Sequence, residues 1–316
     1  MISFRFHVVS ITAVFLAIAI GVVVGTTYVD GAVVDGLRNR IDSVEGNLDD
    51  RRAENDRLES ELGLASSYIE ASAPFAVTDR LIDVPVLLVA ARGVDEAVVE
   101  RTAGLTRLAG GITPGVVWLE SPWELESDDD RAALVSILDA DAGDDPEDLR
   151  AAAWAAVVEE LSVTPQGAGD PSGDSPAVLA PLIEAGFLSV DPLGESTTTL
   201  TDLTGAGPRV LLITGARAEP GPDAAVPAVA AATANGELVT VVADVHVSAP
   251  EAPGRGEELL ESLAGLEDLV SVVDNADQIE GQVGSVLALA AAADGPVGHL
   301  GYGDGADGVL PPWTPT

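Results

Sequence analysis

The chain has 316 residues, room for one sizeable core beside an apolar N-terminus, and its 52 acidic against 15 basic residues give a net charge of −37. A field of that sign repels phosphate backbones, so nucleic acid is excluded as a partner. Every basic residue is Arg and there is no Cys, which removes Lys-based Schiff chemistry, a P-loop lysine, thiolate nucleophiles, disulfides and Cys-built metal centres.

In chain order, Val8 to Val29 (VVSITAVFLAIAIGVVVGTTYV) is a run of 22 residues without a charge. As a helix it spans about 33 Å, enough to cross a hydrocarbon core. Residues 8–29 are therefore expected to form a transmembrane helix. Arg5 precedes the run while Asp30 and Asp35 come after it, which puts residues 1–7 in the cytoplasm and everything after Asp30 outside the cell membrane, in a single pass. The competing reading is a cleaved signal peptide, whose apolar region is shorter and ends at a small-residue site. The small triplet Ala17-Ile18-Ala19 lies in mid-run, so the anchor is preferred.

Residues 30–73 read as a coiled coil. Val34, Leu37, Ile41, Val44, Leu48, Arg51, Asn55, Leu58, Leu62, Ala65 and Ile69 alternate by three and four, and nine of the eleven are apolar. A lone Asn55 at an a position pairs best with its own copy in register, which points to a parallel homodimer held by Val34, Leu37, Ile41, Val44, Leu48, Asn55, Leu58 and Leu62. An amphipathic helix packed within one chain is the alternative, favoured by Arg51 at a d position. Pro74 is expected to end the helix.

From residue 84 to 293 the pattern is α/β. Val84 to Ala91 reads as a buried strand, Asp95 to Leu108 as its crossover helix and Gly115 to Glu120 as a second strand. Helices come next at Asp128 to Asp139 and from Asp145-Pro146-Glu147, an N-cap with Pro in the first turn, to about Ser162. The Pro/Gly/Ser-rich stretch 164–175 reads as a loop between two halves, then a short helix from Pro176 and a strand near Phe187 to Val190. Arg209 to Thr214 restates the first strand, and is succeeded by helix Asp223 to Ala234, strand Glu237 to Asp244, helix Glu257 to Leu263, strand Leu269 to Val273 and helix Gln278 to Ala293. The expected architecture is an open, mostly parallel, Rossmann-like sheet with helices on both faces, closed by a flexible tail over 294–316.

Chemistry is sparse. The turns after the strands, Ala91-Arg92-Gly93-Val94-Asp95 and Gly215-Ala216-Arg217-Ala218-Glu219, lack the G-x-G-x-x-G of a dinucleotide site. Asp244 and His246, two apart at a strand end, are the best candidate metal pair, competing with a plain solvent-facing strand terminus. The acid run from Asp139 to Asp148 lacks calcium-loop spacing, Asp304 and Asp307 sit among tail glycines, and His299 reads as a surface residue. No catalytic residue and no resident cofactor is expected, so the chain is not read as an enzyme.

The segments MISFRFHVVS (Met1 to Ser10), AVFLA (Ala13 to Ala17) and GVVVG (Gly21 to Gly25) resemble the N-terminus of the actinobacterial family of the mycobacterial copper transport protein B. The order of anchor, coiled coil and α/β domain is similar over nearly the whole chain, and Tyr302-Gly303 with Leu310-Pro311 is similar to the family's tail. The resemblance implies a membrane-anchored cell-envelope protein linked to copper transport or homeostasis. Copper(I) takes thiolate, thioether or imidazole, whereas here the donors are Met1, His7, His246 and His299, far apart in sequence. The second expectation is a non-catalytic dimeric scaffold or regulator that docks another envelope protein through its coiled coil and α/β head.

Overall fold

The computed structural model describes residues 4–141, 145–162, 177–194, 198–247, 254–292 and 297–312, with the side chains of 26–34 outside that description. The chain divides into two units, 1–66 and 67–316. The described part of the first unit is the leading portion of one helix, α1 (Phe4–Val77). Its apolar stretch, Phe4–Gly25, has a mean hydropathy of 2.7 and buries nothing in the protein. Within it the Thr12 hydroxyl donates to Val8 O at 2.9 Å, back-bonding one turn along the helix. Further along, Arg57 bonds Glu54 at 2.7 Å and Glu61 at 2.7 Å, while Arg52 reaches Asp49 at 3.2 Å. Such exposed pairs one turn apart are screened by solvent and add little to the helix.

In the second unit α1 does not stop at Pro74 as expected. The proline forfeits one N–H bond, but Ala73 and Val77 are buried with Leu81, and that burial carries the helix one turn further to Val77. The turn then closes through Thr78 N onto Pro74 O at 3.0 Å, and Asp79 turns the chain away at a positive φ of 63°. Next come β1 (Val86–Ala91), α2 (Glu96–Leu108), β2 (Val116–Leu119), α3 (Asp128–Leu138), α4 (Pro146–Leu161), α5 (Leu179–Glu184) and β3 (Leu188–Asp191). After them lie β4 (Arg209–Thr214), α6 (Pro222–Asn235), β5 (Thr240–Asp244), α7 (Glu257–Ser262), β6 (Ser271–Val273), α8 (Ile279–Ala291) and β7 (His299–Leu300). Caps set several starts: Asp95 accepts from Ala97 N at 2.9 Å before α2, and Ser127 accepts from Asp130 N at 3.0 Å before α3. Asp145 holds the N-cap place of α4 without a side-chain bond, and Pro146 supplies the start instead.

The strands form one seven-stranded sheet in the order β3-β2-β1-β4-β5-β6-β7, parallel except for β3. The two halves thus share a single sheet, joined where β1 pairs with β4 from Val86↔Arg209 to Ala90↔Ile213. The loop expected at 164–175 lies outside the described residues, and β3 beyond it returns to β2, so the chain passes to the second half only at β4. Strand residues alternate between two cores. Leu87, Val89, Leu212 and Val242 pack with α4 and α6 through Trp154, Val157, Val226 and Val229. Leu88, Ala90, Leu211 and Ala243 pack with α2 and α8 through Val99, Ala103, Val286 and Leu289. Continuous runs such as VLLVAA are buried on both faces, as parallel strands between helix layers require.

The tail is the clearest departure. Residues 297–312 are ordered in place: His299 and Leu300 pair with Val272 and Val273, Leu300 is buried, and a second bridge joins Leu300 to Gly308. Glycine and aspartate excess promised no regular structure, but here the glycines let the backbone wrap a buried carboxylate at the end of β6.

Candidate functional site

A crevice of about 520 Å³ opens at the carboxyl ends of the central strands, beside the β1–β4 junction where the sheet changes winding direction. Open α/β sheets place ligands at such a point. Its lining includes Gly93 to Asp95 after β1, Gly215 and Arg217 after β4, Val245 to Val247 after β5, and Asp277 after β6. The turn glycines serve the protein rather than a phosphate. Gly93 adopts φ +83°, and a Cβ there would collide with Arg217 O, so the missing side chain admits the neighbouring loop. That loop is tied across the end of β1, with Glu219 N donating to Arg92 O at 2.7 Å. The Asp95 carboxylate already caps α2, where a dinucleotide would seat its pyrophosphate.

The structure places the two candidate metal residues differently. His246 lines the crevice, half-buried. Asp244 is 7% exposed, does not line the crevice and accepts a bond from the Gly256 backbone N–H. Burial pushes its carboxyl up to about 7, and Asp274, Asp277 and Glu258 add to the rise against the opposing Gly256 bond. Among the described residues no group of three or more His, Asp or Glu is arranged to hold a metal ion.

A polar cluster at the end of β6 carries more structure than this pair. Asp274, fully buried, accepts from His299 Nε2 at 2.6 Å, from Tyr302 N at 2.8 Å and from Gly303 N at 2.8 Å. Burial raises its carboxyl, but the His299 bond and the two backbone donors outweigh that and hold it below the usual range. Gly301, at φ +133°, lies so close that a Cβ would strike the Asp274 carboxylate. Beside it Arg255 forks onto Asp277 at 2.6 and 3.0 Å, and the Tyr302 hydroxyl donates to Glu280 at 2.7 Å. His299 is thus no free surface residue. A sequence signal existed, because β5 and β6 both end on an apolar pair or triplet capped by Asp (VVAD and SVVD).

The heptad residues form a separate surface on the first unit. Leu37, Ile41, Val44, Leu48, Leu58 and Leu62 are all solvent-facing, from 43% exposed at Leu58 to 67% at Leu62, and Asn55 lies exposed in the same stripe. The Val34 side chain lies outside the described residues.

Against known proteins, the family model for the copper transport outer membrane protein MctB matches residues 1–311. Relatives named copper transporter MctB, from Mycobacterium bovis and Mycobacterium tuberculosis, are each 28% identical over 327 residues, covering 98% of this chain and 99% of the relative.

Proposed function

We propose a function for this chain from the family to which it belongs, that of the copper transport outer membrane protein MctB: it is a membrane-anchored cell-envelope protein serving copper transport or homeostasis. The observation that carries this reading is the match over nearly the whole chain, which takes in the apolar helix as well as the α/β head. Residues 4–25 of α1 anchor the chain in a single pass, with the N-terminus in the cytoplasm and the head outside. Copper is cargo in this reading, not a resident cofactor.

Within that role the head does not grip the metal. Asp244 is engaged by Gly256, His299 by Asp274, and His246 stands without a second imidazole or a sulfur donor, a poor set for copper(I). The chain acts instead as a non-catalytic dimeric scaffold or regulator, and the specific support is the exposed apolar stripe of α1, which a parallel coiled coil would bury. Another envelope protein would then dock on the coiled coil or the head.

Copper titration of the purified full chain, with the oligomeric state followed in parallel, tests both statements. A dimer that binds copper(I) no more tightly than about micromolar is expected. A stoichiometric, much tighter copper(I) complex would overturn the scaffold role and make the chain itself the carrier.

A further inference from the structure

The crevice beside the β1–β4 junction has a charge pattern that copper does not explain. Its two carboxylates are already used: Asp95 caps α2 through Ala97 N at 2.9 Å, and Asp277 is held by both nitrogens of the Arg255 fork and by Gln278 Nε2 at 2.7 Å. Its two nitrogen side chains are not. Among the described residues neither Arg217 nor His246 makes a side-chain hydrogen bond or ion pair, although the chain carries 52 acidic residues and only 15 arginines. Val94, Val98, Val245 and Val247 line the same crevice, and three of them are 7% exposed.

We propose that this crevice binds a small monocarboxylate bearing an apolar chain, with Arg217 and His246 on the carboxylate and the four valines around the chain. One permanent cation suits one negative charge, and a guanidinium fork matches a carboxylate in two parallel bonds. A dianion such as phosphate brings a second negative charge for which the crevice holds no second permanent cation, in a chain of net charge −37, and finds the helix N-terminus already occupied by Asp95. An uncharged apolar molecule would leave Arg217 unpaired. The volume is that of a small-molecule site. The proposal is independent of any copper role.

The test is calorimetry on the full chain in lipid nanodiscs, titrated with hexanoate, 1-hexanol and inorganic phosphate, with empty nanodiscs subtracted. Hexanoate should bind once per chain in the millimolar range or tighter, and the other two at least about tenfold more weakly. Arg217 is exposed, so Arg217→Gln should spare the fold, which tryptophan fluorescence checks, while weakening hexanoate at least about tenfold. Absence of saturable hexanoate binding, hexanol or phosphate binding as tightly, or an unchanged affinity in Arg217→Gln would each overturn the proposal.

Discussion

Asp244 and Asp274 stand at the carboxyl ends of adjacent strands, yet their surroundings drive them in opposite directions. Asp244 receives one backbone donor and faces three other carboxylates, so its proton stays on in the fold up to a pH of about 7, against an ordinary value of 3.8. A raised pKa contributes stability that is complete below about pH 4 and is lost as pH rises through 7. Asp244→Asn keeps an acceptor for the Gly256 N–H and removes the titration. Denaturant unfolding, read by the tryptophans, should therefore find the variant close to the unmodified chain at pH 4 and more stable by about 2–4 kcal/mol at pH 8. A gap that does not change with pH would remove the argument. Asp274 carries the reverse sign: its stabilisation is present above pH 3.8 and is lost as the carboxylate protonates below that. In Asp274→Asn an amide N–H₂ replaces one carboxylate oxygen, and both His299 Nε2 and Gly303 N face Oδ2 in the native site. The amides of 299–303 should lose hydrogen-exchange protection at pH 7 while those of β1 and β4 keep theirs. Sequence alone ranked Asp244 with His246 from their spacing and missed His299, because the bond that fixes it joins residues 25 apart. Arg217 was visible only as a residue in a failed glycine motif, since its value depends on which carboxylates nearby are already taken.

Element boundaries were legible wherever local chemistry sets them. The strands VLLVAA and RVLLIT, the Asp95 cap and Pro146 all fall within a residue or two of the pattern-based positions. Pro74 failed as a stop because burial of Ala73 and Val77 is a tertiary effect that outweighs one lost N–H bond. The tail failed for the same reason, its partner being a side chain at the end of β6. For α1 the property to be tested is pairing between chains. Its exposed leucines would each gain about 1.5–3 kcal/mol if fully buried against a second copy. Asn55 at an a position would meet its twin, each amide satisfying the other at a cost in stability relative to Ile. Asn55→Ile in a residue 30–72 peptide should raise the melting temperature and admit trimers or shifted registers. Leu48→Asp should separate the chains, because a desolvated charge without a partner costs several kcal/mol, about 3–5, at a core layer. Analytical ultracentrifugation reads both. An unmodified peptide that stays monomeric at high micromolar concentration, with Asn55→Ile changing nothing, would assign the stripe to another occupant or make pairing dependent on the anchor.

At the scale of the whole molecule, alternating β and α patterns made a doubly wound sheet legible, and the rule that βαβ crossovers are right-handed limits the orders such a sheet can take. What they leave open is where the winding reverses, and here β3, added antiparallel outside β2, hides the reversal behind the undescribed 163–176 stretch. The anchor belongs to the same scale. An 18-residue window of high hydropathy marks a membrane helix and a signal sequence alike, but a signal sequence is bounded by a cleavable, small-residue segment on its C-terminal side. Here the apolar stretch opens a helix that runs from Phe4 to Val77. Arg5 lies on one side of the apolar stretch and an acidic chain on the other, which favours retention of the N-terminus inside the cell. A periplasm- or exterior-active reporter fused after Thr316 should therefore be active, the same fusion to a cytoplasm-dependent reporter silent, and the protein should stay with membranes through a carbonate wash. Replacing Arg5 by Glu should weaken that orientation and give a mixed population, because it removes the positive charge flanking the helix on the cytoplasmic side. Recovery of a shortened soluble protein would identify residues 4–25 as a cleaved leader. Activity of the cytoplasmic reporter alone would invert the topology and place the crevice, the acid cluster and the α/β head on the side of the membrane opposite to the envelope role.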